Sequence, residues 1–305
     1  MSSYSKLLAL CKDIACEYST EVLLRDYTSF KIGGKADVMV FPDDISKLSS
    51  VYSFVNSVKM PSLVLGKGSN MLVDDNGFNG VVINTCKLDE IKLIDDTTVA
   101  CQCGVSLSRL CRFALENSLT GLEFAFGIPG TAGGAAYMNA GAYGGEMKDV
   151  LVSCEHIMPD GTLSSFNGDE LKLGYRRSVY SDSDMLITSL TLKLSKGNPA
   201  EIKAKMDDLM GRRRDKQPLE YPSAGSTFKR PEGYFAGALI EQCNLKGYSV
   251  GGAQVSEKHA GFVVNKGGAT AADVMAVIEY CKNTVYDKTG VSLEPEVKII
   301  KQEEI

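Results

Sequence analysis

Gly127-Ile128-Pro129-Gly130-Thr131-Ala132-Gly133-Gly134-Ala135-Ala136-Tyr137-Met138-Asn139-Ala140-Gly141-Ala142-Tyr143-Gly144-Gly145 is the stretch on which the reading of this chain turns. Seven of its 19 residues are glycine and five are alanine. Such a run offers little side chain to bury, and glycine loses more backbone entropy on folding than any other residue. The composition predicts a backbone that approaches a ligand closely and presents N–H groups to anionic or carbonyl oxygens. Thr131 and Asn139 add short polar groups, and Pro129 fixes the entry. The plain alternative is a Gly-rich connection between two elements. The length of the run favours a cofactor with an extended polar spine, such as a dinucleotide.

A second short glycine loop lies upstream. Ser62–Leu65 reads as a strand that runs into Gly66-Lys67-Gly68-Ser69-Asn70, with Met71-Leu72-Val73 after it. Met71 stands where a Rossmann fingerprint needs its third glycine, and no P-loop Gly-Lys-Ser/Thr follows a spaced glycine. Two glycines with Ser69 and Asn70 still form a nest suited to pyrophosphate. The two loops together suggest a clasp on one dinucleotide, with Gly66, Lys67, Gly68, Ser69, Asn70, Met71, Gly127, Pro129, Thr131, Gly133, Gly134, Asn139, Gly141 and Ala142 as its candidate contacts.

The rest of the chain sets bounds. Its 305 residues suggest two or three domains, and 44% hydrophobic with 23% charged residues is ordinary for a water-exposed protein. A net charge of −5 attracts neither nucleic acid nor an anionic membrane, so an anionic ligand must be drawn by a local basic patch. No 18-residue apolar run and no signal peptide is present, which makes the cytoplasm the default expectation. Nine scattered cysteines without a Cys-x-x-Cys pair, beside two histidines, point to reduced, mostly buried thiols and to no metal site.

Periodicity predicts a strand over 36–41, a helix from Asp44 with Ile45, Leu48, Val51, Tyr52 and Val55 at helical spacing, and a strand over 81–84. It also predicts an alternating strand over 98–104, a helix over 107–117, strands over 150–158 and 162–166 joined by a turn at Pro159-Asp160-Gly161, and a strand over 186–194. Gly197-Asn198-Pro199 reads as a boundary. A basic helix, a helix over 271–288 and a strand over 291–300 follow it.

Three places concentrate chemistry-bearing side chains. Arg212-Arg213-Arg214-Asp215-Lys216 closes the basic helix, where cations offset the helix dipole or form a solvated face. Ala224-Gly225-Ser226-Thr227-Phe228-Lys229-Arg230-Pro231 sets hydroxyls beside two cations and suggests an anion pocket. Tyr175-Arg176-Arg177-Ser178 is an arginine-rich spot, and Glu296 enters the last apolar strand, where a carboxylate needs a partner or a task. His259 reads as a structural histidine.

Taken together these segments resemble the UDP-N-acetylenolpyruvoylglucosamine reductase family (MurB), nearly end to end. The most specific pieces are Gly127 to Gly145, Tyr175-Arg176-x-Ser178, Gly225-Ser226-Thr227-Phe228-Lys229, and Gly252-Ala253-Gln254-Val255-Ser256-x-Lys258-His259-Ala260-Gly261-Phe262. The compact segment after Tyr175 is similar to the shorter, type II form. The resemblance implies an α+β fold: a two-subdomain FAD-binding unit of the vanillyl-alcohol-oxidase (PCMH) type, followed by an α/β substrate-binding domain. The expected division is an N-terminal helix over 1–20, FAD subdomains over 21–88 and 89–198, and the substrate domain over 199–305.

The resemblance also implies non-covalent FAD, because the 66–70 loop carries no attachment histidine, and NADPH as co-substrate. The substrate would be a UDP-sugar bearing an enolpyruvyl group, the enzyme a cytoplasmic monomer. Hydride would go to the vinyl carbon β to the carboxylate. Arg176 would be the fixed cation for the charge that develops, with Glu296 beside it and Ser226 as proton donor. Tyr175, Arg212, Lys216, Lys229 and Arg230 would hold substrate. Competing readings are a flavin oxidase of the same superfamily acting on an alcohol or sugar, and a non-catalytic nucleotide-binding module.

Overall fold

The computed structural model describes residues 2–301, and these form two compact units. The first takes in everything up to Thr20, then Val38–Gly66 and Gly80–Arg213; the second takes in Glu21–Asp37, Lys67–Asn79 and everything from Arg214. Each has its own apolar core. Leu7, Val51, Val99, Leu110, Leu190 and Met206 belong to the first, and Phe30, Leu72, Phe228, Ile240, Val263 and Ile278 to the second.

In the first unit a five-stranded antiparallel sheet runs in the order Leu163–Asn167, Leu151–Ile157, Leu186–Lys193, Thr98–Gln102, Ile91–Leu93. The predicted turn closes its hairpin: Gly161 takes a φ of +91°, which favours glycine, and Asp160 Oδ1 accepts the Thr162 N–H at 2.9 Å. Ser62–Leu65 pairs in parallel with Phe78–Asn84. The helix Ile45–Ser57 begins where Asp44 caps it, accepting the Lys47 N–H at 2.8 Å, and it buries Leu48, Val51, Tyr52 and Val55 at the predicted spacing. All nine cysteines are unpaired thiols, and eight are buried.

In the second unit Ser249–Val250, Ala253–Val255 and Val263–Asn265 form an antiparallel sheet. The helix Ala271–Thr289 starts with a reciprocal cap between Thr270 and Asp273 and ends on Gly290 in the left-handed region. The last strand covers only Lys298–Ile300, shorter than the predicted 291–300, because residues 294–296 are spent on a different pairing described below.

Contacts divide the chain differently from the expected four segments. The helix Pro199–Lys216 follows the predicted break, yet its Ile202 and Met206 pack in the first core, so the division falls after Arg213. Residues 21–37 and 67–79 group with the C-terminal part. Met71–Val73 pairs in parallel with Lys298–Ile300, the Asn265 amide donates to the Phe30 carbonyl at 3.1 Å, and Asp75 accepts the Ala271 N–H at 2.7 Å. These are long-range pairings that no local pattern announces.

Candidate active site

The glycine run of the first unit is partly a helix, Ala132–Tyr137, and the reason for its small residues is packing as much as ligand approach. Thr131 caps it, with Oγ1 accepting the Gly134 N–H at 3.3 Å. The Ala132 and Gly133 N–H groups donate to the carbonyls of Val105 and Cys103 at 2.7 and 2.8 Å. A Cβ on Gly133 would lie 2.7 Å from that of Cys103. The Cβ position of this glycine and these two N–H groups are therefore taken up inside the protein. Gly134, in contrast, is exposed, and a Cβ there meets only Thr131 Oγ1, at 3.5 Å. Gly66 ends the strand Ser62–Leu65 directly against Thr131, whose Oγ1 would stand 2.6 Å from an added Cβ. Gly66 and Thr131 are thus neighbours within the first unit. Gly141 and Ala142 pair with Gly145 and Glu146 in a tight hairpin, and Pro129 is exposed.

Asn139, a candidate cofactor contact, is bonded within the protein. Its residue is fully buried in the left-handed region, at φ +43°. Its amide donates to Glu146 Oε2 at 2.7 Å and to the Gly174 carbonyl at 3.0 Å, and its Oδ1 accepts the Lys148 N–H at 2.9 Å. Both donors are used within the protein. Gly174 opens a turn that is closed by reciprocal bonds with Arg177, at 3.0 and 3.2 Å. Ser178 Oγ donates to the Tyr137 carbonyl at 2.6 Å and ties the turn to the end of the 132–137 helix. Arg176 lies inside that turn at φ +54°, half-buried, with its guanidinium 5.0 Å from the exposed Tyr175 ring. The glycine run thus positions Arg176 through Asn139 and Ser178.

The basic run at the end of the 199–216 helix separates into unlike residues. Arg212 is exposed and paired with Asp208 at 2.8 Å, an i,i+4 pair of small energetic weight. Arg214 and Lys216 are exposed, whereas Arg213 is buried. Sequence reasoning passed over Arg213, although it falls seven residues beyond Met206 and eleven beyond Ile202, on the buried face of the helix.

In the second unit Ser226 and Glu296 come together through Thr227. The buried Thr227 donates its N–H to the Gly261 carbonyl at 2.8 Å, and its Oγ1 accepts the Val263 N–H at 2.9 Å. Its carbonyl accepts the Glu296 N–H at 2.8 Å, and Lys229 N–H bonds the Glu294 carbonyl at the same distance, so 227–229 and 294–296 run antiparallel. The exposed Ser226 and half-buried Glu296 are thus held on neighbouring segments.

The first glycine loop reaches the same place. Asn70 Nδ2 donates to the Glu296 carbonyl at 3.2 Å, and the Asn70 carbonyl accepts the Lys298 N–H at 3.0 Å. Gly68 stands at φ +57° where a Cβ would come within 2.4 Å of the Tyr27 carbonyl oxygen, so the loop needs glycine there. Lys67 is exposed, and Ser69 and Met71 are half-buried. Lys229 pairs with Glu294, and the Arg230 guanidinium stacks 3.9 Å from the Phe235 ring. His259 is structural: its Nδ1 accepts the Gly261 N–H at 3.1 Å, and burial lowers its basicity.

Gly134 offers an open backbone face in the first turn of the 132–137 helix, which fits the close approach of a cofactor phosphate. The class of protein follows from comparison. Residues 36–167 match the family described as FAD binding domain, and about two thirds of the chain superposes on a Phl p 4 variant, a glucose oxidase, with TM-score 0.50 at 12% identity, a likeness of fold alone. The first part of the chain matches a FAD-binding domain within an α+β fold.

Residues 217–300 match the C-terminal domain of UDP-N-acetylenolpyruvoylglucosamine reductase. Relatives of that name are 48% identical in Syntrophomonas wolfei, covering 92% of this chain and 94% of the relative, and 45% identical in Clostridium botulinum, covering 99% of both. The crystal structure of the Thermus caldophilus enzyme (MurB) superposes with TM-score 0.80 at 34% identity, over 94% of this chain and 99% of that one. The chain belongs to the UDP-N-acetylenolpyruvoylglucosamine reductase family, an oxidoreductase family of peptidoglycan precursor synthesis whose membership implies FAD and NADPH. No helix among the described residues is long and apolar enough to cross a membrane.

Proposed function

We propose that this chain reduces the enolpyruvyl group of UDP-N-acetyl-3-O-(1-carboxyvinyl)-glucosamine to give UDP-N-acetylmuramate, acting as a cytoplasmic monomer with NADPH as electron donor and non-covalent FAD. The carrying observation is the Thr227 clamp, which fixes a hydroxyl and a carboxylate on adjacent segments of a rigid unit. FAD, when bound, supplies the two-electron relay between NADPH and the carbon–carbon double bond. Ser226 protonates the carbon α to the carboxylate. A hydroxyl is a weak acid, so it acts only against a strongly basic centre. Glu296 polarises the substrate carboxylate region, and Arg176 supplies a cation that stays charged at any working pH. Tyr175, Arg212, Lys216, Lys229 and Arg230 attract and orient the UDP-sugar. The absence of histidine from Gly66 to Asn70 supports a cofactor held without a covalent bond through that loop.

Ser226→Ala separates the two halves of the reaction. Heat should release intact FAD from parent and variant alike. NADPH should bleach the flavin equally fast in both, while reoxidation by the enolpyruvyl substrate should slow by about 10²–10⁴-fold in the variant. Slow bleaching with normal reoxidation would move Ser226 to the nicotinamide side. Reoxidation by oxygen alone, with the enolpyruvyl sugar inert, would return the chain to the oxidase reading.

A further inference from the structure

Arg213 is a buried cation without an acidic partner. The residue is 9% exposed, and no carboxylate among the described residues lies within ion-pair distance of it. Burial works against its charged form. An unpaired charge taken out of water costs several kcal/mol by order of magnitude, and proteins retain one where something outside the chain neutralises it.

The packing around the side chain is equally specific. An added Cβ on Gly127 would come within 2.9 Å of Arg213 Cδ and 3.4 Å of Met210 Sδ. The first glycine of the Gly-rich run therefore leaves room for this arginine stem. Arg212, one residue earlier, is exposed and already paired with Asp208. The basic helix end thus holds one arginine against the glycine run and another in solvent.

We propose that Arg213 is the counter-ion for the diphosphate of a bound nucleotide, delivered beside Gly127. A planar guanidinium suits two phosphate oxygens at once, and a buried site strengthens the pairing. Three nucleotides of this enzyme carry the group: FAD, NADPH and the UDP-sugar. The inference rests on the proposed function only for the last.

Binding, read without turnover, tests it. FAD dissociation from the holoenzyme is followed by the fluorescence of released flavin on dilution, and binding of UDP and of NADP+ to the holoenzyme by calorimetry. Arg213→Met, close in volume and uncharged, should weaken one of the three ligands about tenfold or more. Weakened FAD alone assigns the flavin cofactor's diphosphate, weakened UDP alone the substrate's, and weakened NADP+ alone the nicotinamide nucleotide's. Gly127→Ala keeps the charge and displaces the stem, so it should weaken the same ligand even if the Met variant fails to fold. Unchanged affinity for all three ligands in a folded variant overturns the proposal. Because no catalytic step is read, a protein that binds these nucleotides but does not reduce the enolpyruvyl sugar sinks the proposed reaction and leaves Arg213 assigned.

Discussion

Gly133 and Gly134 are neighbours with opposite surroundings, and the contrast is testable residue by residue. Gly133 faces Cys103 across 2.7 Å of would-be Cβ contact, and both partners are fixed, one by the 132–137 helix and one by the sheet. Gly133→Ala should destabilise the first unit by about 1–3 kcal/mol through overpacking, read by denaturant melting. Gly134→Val meets only Thr131 Oγ1 and should leave the fold nearly as stable, yet purify without yellow colour if FAD lies on that exposed face. Full flavin occupancy in Gly134→Val would place the cofactor elsewhere. The glycine count alone could not tell these two positions apart, because each needs its own neighbour to define it.

The element that matters most in the first unit is the turn from Gly174 to Arg177. Its left-handed Arg176 is flanked by two ties: the Asn139 amide donates to the Gly174 carbonyl, and the Ser178 hydroxyl donates to the Tyr137 carbonyl. Asn139→Leu removes both donors and the acceptor for Lys148, so it should cost about 1–3 kcal/mol in stability. Well below its melting temperature the variant should also show a lower kcat with a smaller change in KM, as the transition-state role proposed for Arg176 requires. A kcat equal to the parent's, at full folding, would reduce Asn139 to a scaffold residue. In the second unit the corresponding element is the antiparallel pairing of 227–229 with 294–296, which converts two distant motifs into one site.

At the scale of the whole molecule, two separate cores give two places where stability can be lost. The first contains His156, fully buried, with Nδ1 at 3.1 Å from the Tyr180 hydroxyl, its ring stacked 4.6 Å from Phe166 and its Nε2 without a hydrogen-bond partner. Burial holds its pKa below the ordinary histidine value, so it is neutral in the folded state. The unfolded chain binds the proton more readily. Stability from this group is therefore complete above the unfolded value of about 6.5 and falls as pH drops below it, by at most about 1.4 kcal/mol per pH unit. Thermal melts from pH 7.5 to 5 should show that loss, and His156→Phe should flatten it. An identical slope in parent and variant would assign the acid sensitivity to other groups.

The sequence by itself determined the local elements and the family. Spacing placed the 45–57 helix with its Asp44 cap, the hairpin turn at Asp160 and Gly161, and the small-residue run, because caps, turns and periodicity depend on a few adjacent residues. Motif order over the whole chain brought the FAD unit and the reductase resemblance. Tertiary structure alone decided how the pieces group and what each motif residue does. It sent 21–37 and 67–79 to the C-terminal unit, turned Asn139 into the support of Arg176, set Asn70 against the Glu296 backbone, and buried Arg213 while leaving Arg212 in water. The physical reason is common to all four. A residue's hydrogen-bond partners and its share of solvent come from segments tens to hundreds of positions away, and a sequence pattern carries residue chemistry without saying which distant backbone will meet it.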